Sequence, residues 1–392
     1  VAHKKQKTKR SGPAKSHASP SRPLAWQQFQ ELNFSFYEER PSEFLHMRIE
    51  VLSLMLCNEQ QLASAYAADR IVAGIQIGGT TPPDNEMRSR YVRTEAVVIF
   101  HHAAEMILRL FYAHVDYPDC PWLGMASLVS FAEFKEKVAK SLSDGFDRSK
   151  LAEVFLGGSS PRDACIAMSD EDFEDAIDGV NLLLGHCGHR LLSQSFLYNS
   201  IKHGLSTIAL DEATEIAVER DRSRRAVGHK GPMFAYMHRR RRPGDAGGGR
   251  EWFISMTGAT TPSDLALSIL VARAVESLWD VARRRYTGKS GSIRHIRRSV
   301  VELAIYGLLR DSLNIVNTVT MEMPKLNDDG SHGDVEHDFI MNHMPKGLEL
   351  PAGEHPADTP RINLPARQRD QRVFSTSKRA FYPFSPKGSQ RA

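Results

Sequence analysis

The chain has 392 residues, 41% of them apolar and 25% charged, with a formal net charge of +4. That is enough apolar material for a real core and enough length for two domains or for one large domain with tails, which excludes a wholly disordered chain. Cys57, Cys120, Cys165 and Cys187 show no paired spacing and no apolar run approaches a bilayer span, so they read as reduced thiols of a cytoplasmic protein without a membrane partner.

Residues 1–23 read as a disordered basic tail. Lys4, Lys5, Lys7, Lys9, Arg10, Lys15 and Arg22 stand among Ser, Pro and Gly with no acid, so the segment has too little to bury. It either touches a polyanion or only solubilises the chain. No apolar stretch follows that would make it a signal peptide. Trp26, Phe29, Phe34, Phe36 and Tyr37 then predict a clasp on the domain surface.

A helix is predicted from about Pro41 to Gly74, with Phe44, Met47, Ile49, Leu52, Leu56 and Leu62 as its core face. Thr81-Pro82-Pro83-Asp84, Ser160-Pro161-Arg162-Asp163 and Thr261-Pro262-Ser263-Asp264 share one pattern. In each the hydroxyl suits an N-cap, Pro the first helical position and Asp the third, so they mark helix starts. The next helix, about Met87 to Val115, buries Val97, Val98, Phe100, Ala104, Ile107, Leu108 and Phe111. His101, His102 and Glu105 lack the second Glu/His helix that a di-iron bundle requires. Pairing of Glu105 with Arg109 is the better reading, and neither a metal nor another cofactor is proposed. Short helices are expected from Phe131 to Leu142 and from Arg148 to Phe155.

One long helix is predicted from Ser169 to His203. Ser169 is the N-cap, Asp172 can close a capping box, and Asp170, Glu171 and Glu174 suit the dipole. Ala176, Val180, Leu183, Leu184, Cys187, Leu191 and Leu192 form its apolar stripe, with Gly204 at the C-cap. Gly179, Gly185 and Gly188 predict a kink or a close helix crossing. His189, Phe196, Asn199 and His203 fall near one face, flanked by Tyr198 and Lys202. An imidazole at a helix C-terminus can serve as a general acid or base, with Glu105 of the neighbouring helix as its orienting carboxylate. The plainer reading has His203 and Lys202 only satisfying the last helical carbonyls.

Asn199-x-x-x-His203-Gly204 at the end of a bundle helix resembles the signature of the HEPN superfamily of small helical domains, over roughly residues 88–204. The resemblance implies an RNA-binding protein or a metal-independent endoribonuclease, in a defence or toxin-like setting, working as a homodimer. It implies His203, Asn199 and Lys202 as the reacting group. The family places an Arg before the Asn, and this chain has Tyr198 there. Lys202 or Arg190 would have to replace it, or the domain binds without cleaving.

After Gly204 the period changes to that of strands, over 205–210, 213–218, 232–237 and 251–256. Arg239, Arg240, Arg241 and Arg242 make an arginine-rich hairpin tip suited to RNA or another polyanion, or to guarding an exposed edge. Helices are expected over 262–286 and 292–317. Their junction, with Arg283, Arg284, Arg285, Arg297 and Arg298 around Tyr286, carries no acid and could grip phosphate while stacking a base. From Pro324 periodicity is lost and a mostly disordered tail is expected.

The reading is an α+β, mainly α protein with disordered termini: a domain over 24–323 holding the bundle (85–204), a small antiparallel β-hairpin insert (205–257) and two returning helices. The alternative to the HEPN-like function is a non-enzymatic protein that binds nucleic acid or a protein partner.

Overall fold

The computed structural model describes residues 32–37, 40–126, 130–203, 206–221, 224–240, 250–309, 314–323, 337–350 and 358–370. Of the sequence expectations, the tails at 1–23 and 371–392, the first part of the clasp with Trp26 and Phe29, Gly204, Arg241 and Arg242 lie outside them. The fold is mainly helical with small antiparallel sheets, as the patterning predicts.

In chain order come α1 (Pro41–Leu54), α2 (Glu59–Ala67) and the strands β1 (Arg70–Val72) and β2 (Ile75–Ile77). Then follow α3 (Asn85–Asp116), α4 (Pro121–Ala126), α5 (Phe131–Asp144), α6 (Arg148–Leu151) and α7 (Pro161–Ala164), with a single π-helical turn at Ala152–Leu156. α8 (Asp170–Ser193) and α9 (Ser195–Lys202) lead to β3 (Thr207–Leu210), β4 (Glu215–Asp221), β5 (Arg224–Lys230), β6 (Met233–Arg240) and β7 (Glu251–Gly258). α10 (Thr261–Thr287), β8 (Gly291–Arg294), α11 (Arg298–Tyr306), β9 (Asn314–Glu322), β10 (His337–His343) and β11 (Arg361–Leu364) close the order.

α3, α8 and α10 build the core, because each turns a broad apolar stripe at three- and four-residue spacing into it. By length and hydropathy α3 could cross a bilayer, which the sequence reading did not anticipate; its apolar window is 72% buried in the fold, the pattern of a core helix. The described part of the predicted clasp, residues 32–37, packs into the fold at Tyr37 instead of lying on its surface. Tyr37 is fully buried, stacked on Tyr286 with ring centroids 5.1 Å apart, and its hydroxyl lies 2.6 Å from His114 Nε2. Three aromatic residues within four positions bury more apolar area inside the bundle than on it.

Several predicted helices are interrupted. The expected helix over 41–74 ends at Leu54, and Asn58 starts α2 with a capping box closed by Gln61. Ala73 (φ 50°) and Gly74 (φ 82°) then turn β1 back on β2, as a two-residue hairpin requires. The helix expected from 169 bends at Gln194 (φ −105°, ψ 17°), which separates α8 from α9. Ser169 caps α8 as predicted, but the Asp172 carboxylate takes the Ser169 hydroxyl proton at 2.8 Å instead of closing the box on the backbone. Gly179 marks a close crossing: a Cβ there would lie 2.1 Å from the Ile296 carbonyl oxygen. Gly188 packs on Val138 and Leu142, while Gly185 faces open space.

The predicted helix starts hold at 160 and shift elsewhere. Ser160 caps α7 with Pro161 first; Asp84, not Thr81, caps α3; Thr260 precedes α10.

The helix expected over 292–317 becomes β8, α11, a 3-10 turn at Gly307–Leu309 and β9. Here tertiary pairing overrides local pattern, since Thr318, Val319 and Thr320 align with Thr257, Met256 and Ser255 of β7. The main sheet has the order β10-β9-β7-β6-β3, all antiparallel. Its first strand, and β11 paired with β8, both come from the region predicted to be a disordered tail.

Candidate functional site

α9 is held by its buried side. Leu197 and Ile201 pack with Val97, Phe234 and Tyr236, while Asn199, Lys202 and His203 are exposed. His203 is the C-cap residue; its backbone N–H donates to the Asn199 carbonyl at 3.0 Å. The ring therefore stands at the negative end of the helix dipole, open to solvent. The bend at Gln194 parts the other residues of the predicted face. His189 lines a separate cleft with Gly185, His186 and Tyr306, and Phe196 stacks on His238 at 4.3 Å.

Tyr198, at the position where the HEPN pattern has Arg, turns inward. Its ring lies parallel to His101 of α3 at 4.7 Å and edge-on to His102 at 5.8 Å. The Lys202 ammonium sits 5.4 Å from its centroid. Burial, then the Glu105 carboxylate, push the Tyr198 phenol above its usual range, and Arg48 works against them.

Arg48 of α1 is the residue that sequence reasoning missed. Its Nη1 lies 3.0 Å from His102 Nδ1, and its Nη2 lies 3.9 Å from Glu95. A guanidinium only donates, so Nδ1 accepts and the proton of the neutral ring sits on Nε2. Burial lowers the His102 pKa, and Arg48 and Lys202 lower it further against Glu105. Arg48, His102 and Lys202, from three helices, thus converge on Tyr198, while Asn199 and His203 are exposed at the end of the same helix. Arg48 is 150 positions upstream of Tyr198, and its helix carries no local mark of it. His102 was visible only as part of a metal set that did not close.

Glu105 does not orient His203. Its carboxylate takes the Arg109 Nε–H at 2.7 Å, the i,i+4 pairing expected as the plainer reading. Among the described residues no hydrogen bond or ion pair joins it to His203. Arg190, the other candidate substitute for the motif's Arg, is committed too. It pairs with buried Asp264 at 2.6 Å, and its guanidinium lies 5.0 Å from the Phe100 centroid. Among the described residues no group of three or more His, Cys, Asp or Glu converges to hold a metal.

The arginines predicted to bind nucleic acid divide. Arg284 is 1% exposed and donates to the carbonyls of Ala164 (2.7 Å), Gly157 (2.9 Å) and Pro365 (3.3 Å), so it is structural. Arg283 lies 4.0 Å from Asp280, and Arg298 pairs with Glu302 at 2.8 Å. The junction looks acid-free in the sequence, yet the fold brings carboxylates to it from neighbouring turns. Arg285 sits 5.8 Å from the Tyr286 centroid, and Arg297 is exposed. Arg240 pairs with Asp338, while Arg239 is exposed with its guanidinium 5.4 Å from the Trp252 centroid.

No protein-family model matches the chain, and no curated protein or solved structure is significantly similar to it.

Proposed function

We propose that the protein binds RNA at the tip of α9 and cleaves it without a metal ion. The observation that supports this reading is His203 open to solvent at the end of α9 with Asn199 and Lys202, on a helix whose Tyr198 is met by His102 and by Lys202, with Arg48 on His102. Arg48 and Lys202 meet the charge of the scissile phosphate. They restore in space the cation that Tyr198 takes away in sequence. His203, unprotonated, removes the proton of the ribose 2′-hydroxyl. That oxygen attacks phosphorus, a 2′,3′-cyclic phosphate forms, and the 5′-oxygen leaves with the proton returned from the ring. His102, as the Nε2–H tautomer, donates to a phosphate oxygen. The resemblance to HEPN domains supports the same reading through Asn199 and His203, and implies a dimer.

The test is RNA cleavage in the presence of a chelator, by the wild type and by His203→Ala, Lys202→Ala and Arg48→Ala. The reading expects cleavage that each substitution removes or strongly slows. Cleavage indifferent to His203 would end it. A binding-only form of the reading is favoured by the inward turn of Tyr198, which leaves the motif's own Arg position without a cation. It expects RNA affinity that falls steeply with salt and no cut product.

A further inference from the structure

α1 is apolar on two opposite sides, and the fold buries one of them. Leu45, Ile49 and Leu52 are buried. Phe44, Met47, Val51 and Leu54 are each between 50% and 65% exposed. The sequence reading put Phe44 and Met47 on one core face with Ile49 and Leu52, and Leu56 with them; Phe44, Met47 and Leu56 are exposed instead. At about 100° per residue the exposed four point away from the buried three. A helix that is apolar all round belongs inside a larger core. The exposed four follow steps of three, four and three residues, the a and d positions of a heptad. They form one seam about 15 Å long at 1.5 Å per residue.

The charges beside the seam select what fits it. Glu43 and Glu50 stand at the g positions, both exposed and without an ion pair among the described residues. Arg48 stands at an e position, its guanidinium 5.6 Å from the Phe44 centroid. In a parallel pair of such helices, g of one chain meets the following e of the other. Glu43 of each copy then meets Arg48 of the other, twice across the two-fold axis. Five N–H donors let the guanidinium take that carboxylate and keep His102. An antiparallel pair would instead set Glu43 against Glu50 twice. Acids beside the seam also oppose an anionic lipid surface, which is met by Lys and Arg. The four side chains leave roughly 400 Å² of apolar surface open, a large patch for a monomer. Closing it on a second copy, with the flanking charges, removes on the order of 1,000 Å², enough for a specific but weak contact.

We propose that two copies of this chain pair in parallel through α1, with Phe44, Met47, Val51 and Leu54 packed on their counterparts and Glu43 of each copy on Arg48 of the other. α1 lies outside residues 88–204, so the contact owes nothing to the HEPN resemblance, and it does not require cleavage at His203.

The experiment is sedimentation equilibrium of the full chain from about one to a few hundred micromolar, where a contact of this size should show its dissociation constant. Met47→Glu and Val51→Glu should each weaken the dimer by about tenfold or more, since each buries a charge in the seam. Both positions are exposed in the single chain, so the urea midpoint of dilute protein should not move. Glu43→Lys decides the orientation: it sets Lys against Arg48 in a parallel pair and weakens it, but meets Glu50 in an antiparallel pair and strengthens it. A chain that stays monomeric throughout, or a dimer indifferent to Met47→Glu and Val51→Glu, overturns the proposal. A dimer that Glu43→Lys strengthens or leaves unchanged overturns the parallel pairing. Should the monomer instead bind phosphatidylserine vesicles, and Val51→Glu release it, the face belongs to a membrane and the proposal fails.

Discussion

Stability should fall steeply on mild acidification, and His101, beneath the candidate site, should carry a measurable share of that fall. Burial, then Arg190 and His102, push the His101 ring down to about 3. Burial and Arg190 put His186 at about 3 as well; burial, opposed by the Leu110 carbonyl, puts His114 at about 4. Once unfolded, each ring returns to its ordinary value of 6.5. Below that value the unfolded chain binds more protons than the folded one, so stability declines as pH falls from 6.5 towards the folded values. From about pH 7 to about pH 5 each ring withdraws about 2 kcal/mol, and the three together roughly 6 kcal/mol. That is of the order of a whole domain's stability. At pH 5 a ring at 3 and a ring at 4 behave alike, so the magnitude does not hang on the exact shift. The assay is urea unfolding at both pH values for the wild type and for His101→Phe, which keeps the stack on Tyr198 and removes the titrating nitrogen. The wild type should lose about 2 kcal/mol more than the variant over this interval. Equal losses would refute the claim that His101 is held neutral.

On the proposed reading, Arg48→Ala should slow RNA cleavage by about a hundredfold with little change in thermal midpoint, because its contacts with His102 and Glu95 are only part-buried; single-turnover rates in chelator check this. Arg284→Ala leaves three backbone carbonyls without their donor and should cost about 3–5 kcal/mol in urea unfolding. A loss below about 1 kcal/mol would show that Arg284 is as dispensable as a surface arginine. Gly179→Ala drives a methyl into the Ile296 carbonyl and should destabilise by about 1–3 kcal/mol, whereas Gly185→Ala, facing open space, should be neutral or stabilising.

What the sequence disclosed is what local rules encode. The apolar stripes of α3, α8 and α10 and the caps at Ser160 and Ser169 were legible from periodicity and capping chemistry. So were strands β6 and β7. The bend at Gln194 was not, since no Pro or Gly stands there, and the side chain sits in tertiary packing at 5% exposure. β9 and β10 were missed because their partners lie far along the chain. Helical spacing placed Asn199, Lys202 and His203 together at one helix end, and that placement holds, but the bend at Gln194 separates them from His189 and Phe196. Arg48 could not, because nothing in α1 distinguishes an arginine that reaches His102 from one that reaches water. Arg284 failed in the opposite direction. Its run of neighbours suggested a cationic surface, and only the fold shows the carbonyls of Gly157 and Ala164 around it.

On the proposed reading, an exposed imidazole at the end of α9 moves the proton in RNA cleavage. The most direct measurement is the end chemistry of RNA fragments formed in excess chelator by the wild type and by His203→Ala at equal concentration. Fragments ending in 2′,3′-cyclic phosphate and beginning with 5′-hydroxyl are expected from the wild type alone. Ends bearing a 5′-phosphate, or the same cyclic ends at the same rate without His203, would contradict it.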